Sequence, residues 1–239
     1  MWQTERGYMA RGAAAQALYD EGLRQHMLRV YNYMASGLFL TGAVAVAFFS
    51  SGWFYAVAQT PLIWVVMLSP LAFILVLSFG INRLSLFATQ AAFWAFAGVM
   101  GLSLASIFAV YTGTSIARVF FITAATFAAV SLYGYTTKAD LSKFGTFLFM
   151  GLIGIVLASL VNIFLGSSAL QFAISIIGVL VFTGLTAYDT QMIKEQYDAN
   201  YGGEVTGKLA VMGALTLYLD FINLFQMLLS LLGNRSSNE

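Results

Sequence analysis

LTLYLDFINLF, residues 215–225, is apolar for a membrane's depth on either side, yet it carries Asp220 at its centre. The apolar run around it covers 209–232, enough to cross a hydrocarbon core of roughly 30 Å as a helix. An aspartate at that depth costs roughly 3 kcal/mol on insertion scales. Intramembrane carboxylates of this kind usually face a bundle interior and mark an ion or proton path. The competing reading is a buried hydrogen-bond anchor between helices. Gly213, Thr216, Asp220, Asn223, Met227 and Ser230 recur at spacings of three and four and form one small, polar stripe. Such a stripe on an otherwise apolar helix suggests a central position among other helices. Tyr218 and Gln226 lie off it, which points to a second buried face.

The rest of the chain supports a membrane setting. Of 239 residues, 60% are hydrophobic and 9% charged, whereas a soluble domain carries about a quarter charged residues. There is no cysteine, which excludes disulfides, thiolate metal sites and cysteine nucleophiles. The single histidine, His26, lies in the polar N-terminal segment. A histidine-based metal site or a Ser-His-Asp triad within the membrane is thereby excluded. Seven segments are long enough to span: 30–51, 62–81, 86–111, 116–136, 144–165, 169–191 and 209–232. The expected fold is all-α, a polytopic bundle of seven transmembrane helices with the seventh at its centre. Residues 1–29 read as a cytoplasmic N-terminal segment, 30–232 as the transmembrane domain and 233–239 as a short tail.

Basic residues set the orientation. Arg6, Arg11, Arg24, Arg29, Arg83, Lys138, Lys143, Lys194 and Lys208 fall on one side, and Arg118 and Arg235 on the other. This places the N-terminus in the cytoplasm and the C-terminus outside. Ala97-Gly101-Ala105 and Gly154-Ala158 offer small residues for close helix approach. Pro70, inside span 2, should bend it and free a carbonyl about four residues back. There is no internal repeat of the kind that marks inverted-repeat transporters.

The second carboxylate is Asp189, in GLTAYDTQ (184–191) near the basic end of span 6. Ideal straight helices would leave Asp189 and Asp220 at different depths, a gap that tilt or an early start to span 7 would close. If the two meet, they cannot both ionise freely in a low dielectric. Such a pair would hold one proton near neutral pH and act as a proton-sensitive latch. Two carboxylates with Asn223 would also make a weak, transit-type calcium site, because calcium takes six to eight oxygens. Arg83 is the one cation nominated as a partner for Asp189; it equally suits a topology-setting charge. Lys194, Glu195, Asp198 and Glu204 read as a solvated loop.

Together, GLTAYDTQ and LYLDFINLF (217–225) resemble the Bax inhibitor family, and SLYGYTTKADLSKFG (131–145) is similar to its bacterial branch. The resemblance covers essentially the whole chain. It implies a central seventh helix wrapped by six others and a proton-sensitive calcium leak in a bacterial inner membrane. Asp189 and Asp220 fall on the positions of the pH sensor and gate, where calcium would bind transiently. Arg83 occupies the place of the latch, and Gly213, Thr216, Asn223 and Met227 line the helix 7 face or pore. The implied partners are the lipid bilayer, calcium as permeant ion and protons, with no tightly bound cofactor and no nucleic acid. Some members carry a second acid–base latch between helices 2 and 7. Here span 2 has no acid and Ser230 stands near the outer end of span 7, so closure must rest more on residues such as Phe221 and Leu224. The alternative is a non-conducting regulator that binds a membrane partner such as a quality-control protease. No enzyme is expected. An intramembrane aspartyl protease would need Gly-x-Gly-Asp before Asp220 and a later Pro-Ala-Leu, but both prolines precede residue 71. A retinal protein would need a lysine inside span 7.

Overall fold

Hydrocarbon offers no partner to a backbone amide, so a single-chain span of this composition must close its hydrogen bonds internally as a helix. The computed structural model describes residues 2–236, with side chains from residue 16 onward. It contains α1 (Trp2–Ser50), α2 (Trp53–Ala58), α3 (Leu62–Gly80), α4 (Leu86–Leu104), α5 (Ser106–Val110), α6 (Gly113–Thr136), α7 (Ser142–Leu165), α8 (Ser168–Glu195) and α9 (Gly203–Leu232). Among the described residues, seven stretches are long and apolar enough to cross a membrane, with α4 and α5 together making the third. The fold is the expected all-α bundle. Ser85, Thr112 and Ser167 accept hydrogen bonds from the first turns of α4, α6 and α8, so short polar residues start the helices where the apolar runs begin. Gly166, at φ 60°, closes α7 in a left-handed conformation that an L side chain rarely adopts.

Two expected boundaries move. Residue 30 marks no break, because the polar N-terminal segment and the first span form one helix, α1. The polar segment runs on past the apolar run and packs against the α8–α9 connection. Tyr19 Oη donates to the Tyr197 carbonyl at 3.5 Å, and the buried His26 ring lies 5.5 Å from the Tyr197 ring. The side chains of Arg6 and Arg11, and the tail beyond residue 236, lie outside the described residues. At the other end of the chain α9 begins at Gly203, six residues before the expected start. Its first turns, polar in sequence, are helical and carry a Lys208–Glu204 ion pair of 2.9 Å along one face.

The most buried span is α9, and it occupies the centre. Helices α1, α4, α6 and α8 pack along it, while α3 rests on α4 and α7 on α8. One face of α9 is tied by Tyr218, which is fully buried. Its hydroxyl lies 2.6 Å from Thr41 Oγ1 of α1, which also approaches the Ala97 carbonyl of α4 at 2.8 Å. The ring meets Phe93 and Phe96 edge-on at 6.4 and 5.2 Å. The second buried face therefore exists through Tyr218, whereas Gln226 is exposed. A side chain at Gly101 would collide with the Thr41 carbonyl, so this glycine permits the close α1–α4 crossing. Gly154 has open space beside it, and the Gly154-Ala158 pair makes no such contact. Helix α7 instead approaches α8 through Gly145 and Gly151.

Pro70 lies buried within α3, and the carbonyl four residues back is that of Val66. Ser103 Oγ of α4 donates to that carbonyl at 2.6 Å and Ser69 Oγ at 2.9 Å. The freed carbonyl thus becomes the polar tie between α3 and α4, in surroundings where it has no water. Ser103→Ala should destabilise the fold by about 1 kcal/mol, measured by steric-trap or denaturant unfolding in micelles. The same substitution in a Pro70→Ala background should cost measurably less, because Val66 then regains a helical donor.

Candidate functional site

Helix α7 reaches α8 but leaves a gap in front of α9, and this gap is the candidate site. It is a cavity of about 540 Å³ whose polar lining includes Asp189, Asp220, Thr216, Asn223 and Tyr188. Three contacts set the register of the antiparallel helices behind it. Gly213 lies against Ile193, Gly178 against Met227, and Ser175 Oγ lies 2.9 Å from Ser230 Oγ. In that register Asp189 faces Thr216 and Asp220 faces Leu185, so the aspartates sit one helical turn apart. The early start of α9 at Gly203 fits this register, since its first turns then project past Glu195, the end of α8. The two carboxyl groups are close neighbours that line the same cavity.

Their surroundings differ. Asp220 is 5% exposed, and its Oδ2 has no hydrogen-bond partner among the described residues. Asp189 is half-buried, nearer the basic face of the bundle. A buried carboxyl oxygen without a donor is expensive, which sets Asp220 apart from the satisfied polar groups around it. Thr216 Oγ1 donates to the Met212 carbonyl at 3.2 Å, and Asn223 Nδ2 to that of Leu219 at 2.8 Å. These bonds leave the hydroxyl lone pairs and the amide oxygen as acceptors toward the cavity. Among the described residues no cluster of three or more acidic, histidine or cysteine side chains can hold a metal. Two carboxyls with the neighbouring hydroxyl and amide oxygens fall short of the six to eight oxygens that calcium takes.

The expected helix 7 face divides into two functions. Thr216 and Asn223 line the cavity with the aspartates. Gly213 and Met227 fill helix contacts at its two ends, against Ile193 and Gly178. Toward the C-terminal end of α9, Met227 and the Ser175–Ser230 contact leave α8 and α9 closely packed. On the neighbouring face Phe221 meets Phe120 and Phe127 at 5.4 and 5.6 Å, and Leu224 is fully buried. Arg83 is not brought to the pair. It is exposed on the α3–α4 turn, and α3 lies beyond α4, across α9 from α8.

Two supporting features carry weaker sequence signals. Gly145 of α7 is one: any side chain there would run into the Tyr188 ring, so glycine makes room for Tyr188 in the cavity lining. Gln191, two residues past Asp189 and buried, is the other. Its Oε1 accepts from the Leu141 amide at 2.8 Å, and its Nε2 donates to the Ala139 carbonyl at 2.9 Å. It thereby clamps the α6–α7 connection to α8 and fixes where α7 enters over the cavity. Within that connection Asp140 accepts from the Ser142 hydroxyl and amide, which hold its carboxyl below the usual carboxylate range. Lys194, expected in a solvated loop, lies in the last turn of α8, and its Nζ donates to the Tyr135 carbonyl at 2.9 Å.

A family model described as inhibitor of apoptosis-promoting Bax1 matches residues 23–237, which include both aspartate helices and all of the bundle but the start of α1. The chain belongs to the Bax inhibitor family. It is 51% identical over 218 residues to an uncharacterised protein of Rickettsia prowazekii, covering 91% of this chain and 92% of the relative. It is 50% identical over 219 residues to the inner membrane protein YbhL of Escherichia coli K12, covering 90% and 93%. An uncharacterised membrane protein of Streptococcus pyogenes is 37% identical over 218 residues, covering 90% and 94%. These matches and the seven apolar spans make the chain an integral membrane protein of this family.

Gln191→Ala should leave the Leu141 amide and the Ala139 carbonyl without their clamp. The local cost is about 1–2 kcal/mol, read as roughly tenfold faster hydrogen exchange at Leu141, with the core of α9 unchanged.

Proposed function

We propose that the protein is a proton-sensitive calcium leak whose gate is the Asp189–Asp220 pair. The observation that carries this reading is the presence of two carboxyls, one on α8 and one on the central α9, in a single cavity that is otherwise largely apolar. With one proton between them, the pair forms a charge-assisted hydrogen bond that joins α8 to α9. A second proton, added in acid, removes the charge from that bond and loosens the latch. Loss of both protons sets two charges against each other, and a divalent cation relieves that repulsion. Calcium entering the cavity would meet Asp189 and Asp220 first, with Thr216 and Asn223 supplying further oxygens and water the rest. Met227, seated on Gly178, is the plug that must move for passage toward the outer end. Arg83 would latch Asp189 only in a conformation that brings α3 closer.

The basic residues at the ends of α1, α3, α6 and α8 support a cytoplasmic N-terminus and an outer C-terminus. The similarity to an inner membrane protein of E. coli supports placement in an inner membrane. The regulator reading keeps one observation in its favour. The polar extension of α1 and the α8–α9 connection form a packed face at Tyr19, His26 and Tyr197 that a membrane partner such as a protease could grip.

Purified protein in calcium-loaded liposomes should leak calcium about tenfold faster in acid than at neutral pH, the equivalent of about 1.4 kcal/mol of latch. Asp220→Asn should abolish most of that difference, because its amide bonds to Asp189 without a titratable proton. Wild type and Asp220→Asn both behaving like empty liposomes at every pH would overturn the channel reading. A co-purifying membrane partner, lost on changing Tyr197 and Asp198, would then support the regulator. In the same assay Met227→Ala should raise the basal leak severalfold while keeping the pH response.

A further inference from the structure

A second opening in the bundle has no part in the carboxylate site. Helices α1 and α6 both pack on α9 but hardly on each other. The groove between them has a volume of about 500 Å³, within the range of roughly 300–1,000 Å³ typical of small-molecule sites. Its walls are Met27, Leu28 and Met34 of α1 and Phe127, Ala128 and Leu132 of α6. Leu28 and Leu132 stand exposed at its rims, on the bilayer side of the bundle.

Three observations say what fills it. The first is depth. The α1 lining runs from Arg24 to Ala35, about 16 Å at 1.5 Å per residue. That is close to one leaflet, half of a hydrocarbon core of roughly 30 Å. The second is the absence of free polar groups along the wall. Tyr31 Oη lies 2.7 Å from Ser131 Oγ, which lies 2.9 Å from Thr190 Oγ1. Thr190 in turn donates to the Thr186 carbonyl at 2.7 Å. The hydroxyls satisfy one another, so the groove gives water no set of partners to hold it. The third is charge at the mouth. Arg24 lines the groove, and its contact with Glu21 is a solvent-exposed pair of 3.4 Å, which is worth little. Lys194 stands over the ring of Tyr135, another lining residue, at 5.5 Å. It spends one donor on the Tyr135 carbonyl and keeps two.

We infer that the α1–α6 groove is a binding site for an anionic phospholipid, with one acyl chain along Met27, Met34, Phe127 and Ala128 and its phosphate held between Arg24 and Lys194. A zwitterionic lipid would fit the apolar wall equally well but would gain less at the cationic mouth. The lipid would act as a wedge between two helices that share α9 but do not close on each other.

The test uses full-length protein in mixed micelles with phosphatidylglycerol and phosphatidylethanolamine of identical chains, read by native mass spectrometry. Wild type should retain one phosphatidylglycerol, at least tenfold in preference to phosphatidylethanolamine. Ala128→Trp, at an exposed position facing the groove, should fill it and lose the adduct. Arg24→Gln with Lys194→Gln should keep chain binding but reduce the two lipids to equal retention. Arg24→Gln alone changes only an exposed side chain, so its partial loss of preference reports on the mouth without a folding defect. No retained lipid, equal retention of both lipids by wild type, or undiminished retention by Ala128→Trp would each overturn the proposal. So would a lipid-free dimer with a second copy in the groove.

Discussion

Small residues at each crossing let α8 and α9 run against each other at close range, and the rest of the bundle is arranged around that contact. Gly213 admits Ile193, Gly178 admits Met227, and Ser175 meets Ser230. Each is a place where a larger side chain would force the helices apart or slide their register. A slide of one turn would carry Asp220 away from Asp189 and leave a buried carboxyl without any partner, at a cost of several kcal/mol. The register and the carboxyl pair therefore depend on each other: packing positions the acids, and the acids penalise every other packing.

The opposite face of α9 supplies the rigidity this arrangement needs. Tyr218 and Thr41 join α9 to α1 and α4 through a short chain of hydrogen bonds surrounded by Phe93 and Phe96. Interhelical bonds of this type are worth about 0.6–2 kcal/mol each in membranes. The aromatic packing around them excludes alternatives. One side of α9 is thus pinned, and the other faces a cavity left where α7 follows α8 but not α9. A helix with one fixed face and one open face is suited to a gate, because a change at the open face need not disturb the anchor.

Much of this was legible in the sequence. The seven spans, the central seventh helix and the inward stripe of Thr216, Asp220 and Asn223 follow from apolar length and from three-and-four spacing. So does the Pro70 carbonyl, whose position depends only on helix geometry. The depth of Asp189 relative to Asp220 was not legible. It depends on where polar residues such as Glu204 and Lys208 stop being loop, and hydropathy ends a span before the helix ends. For the same reason the boundary read at residue 30 is not a helix end, since α1 continues through its polar part. Arg83 shows a different limit. Its charge and loop position suited a latch, but which helices separate α3 from α8 is a tertiary fact that no local pattern carries. Gln191 escaped notice because its work is done on backbone groups fifty residues away.

The claim at the centre of this account is that Asp189 and Asp220 share a proton across the α8–α9 contact. Infrared difference spectroscopy of the protein in lipid, titrated from acid to alkaline pH, tests it most directly. The account predicts a protonated carboxyl band that persists at neutral pH, fades on alkalinisation, and is lost or displaced in both Asp189→Asn and Asp220→Asn. A band absent at neutral pH, or one left unchanged by either substitution, would contradict it.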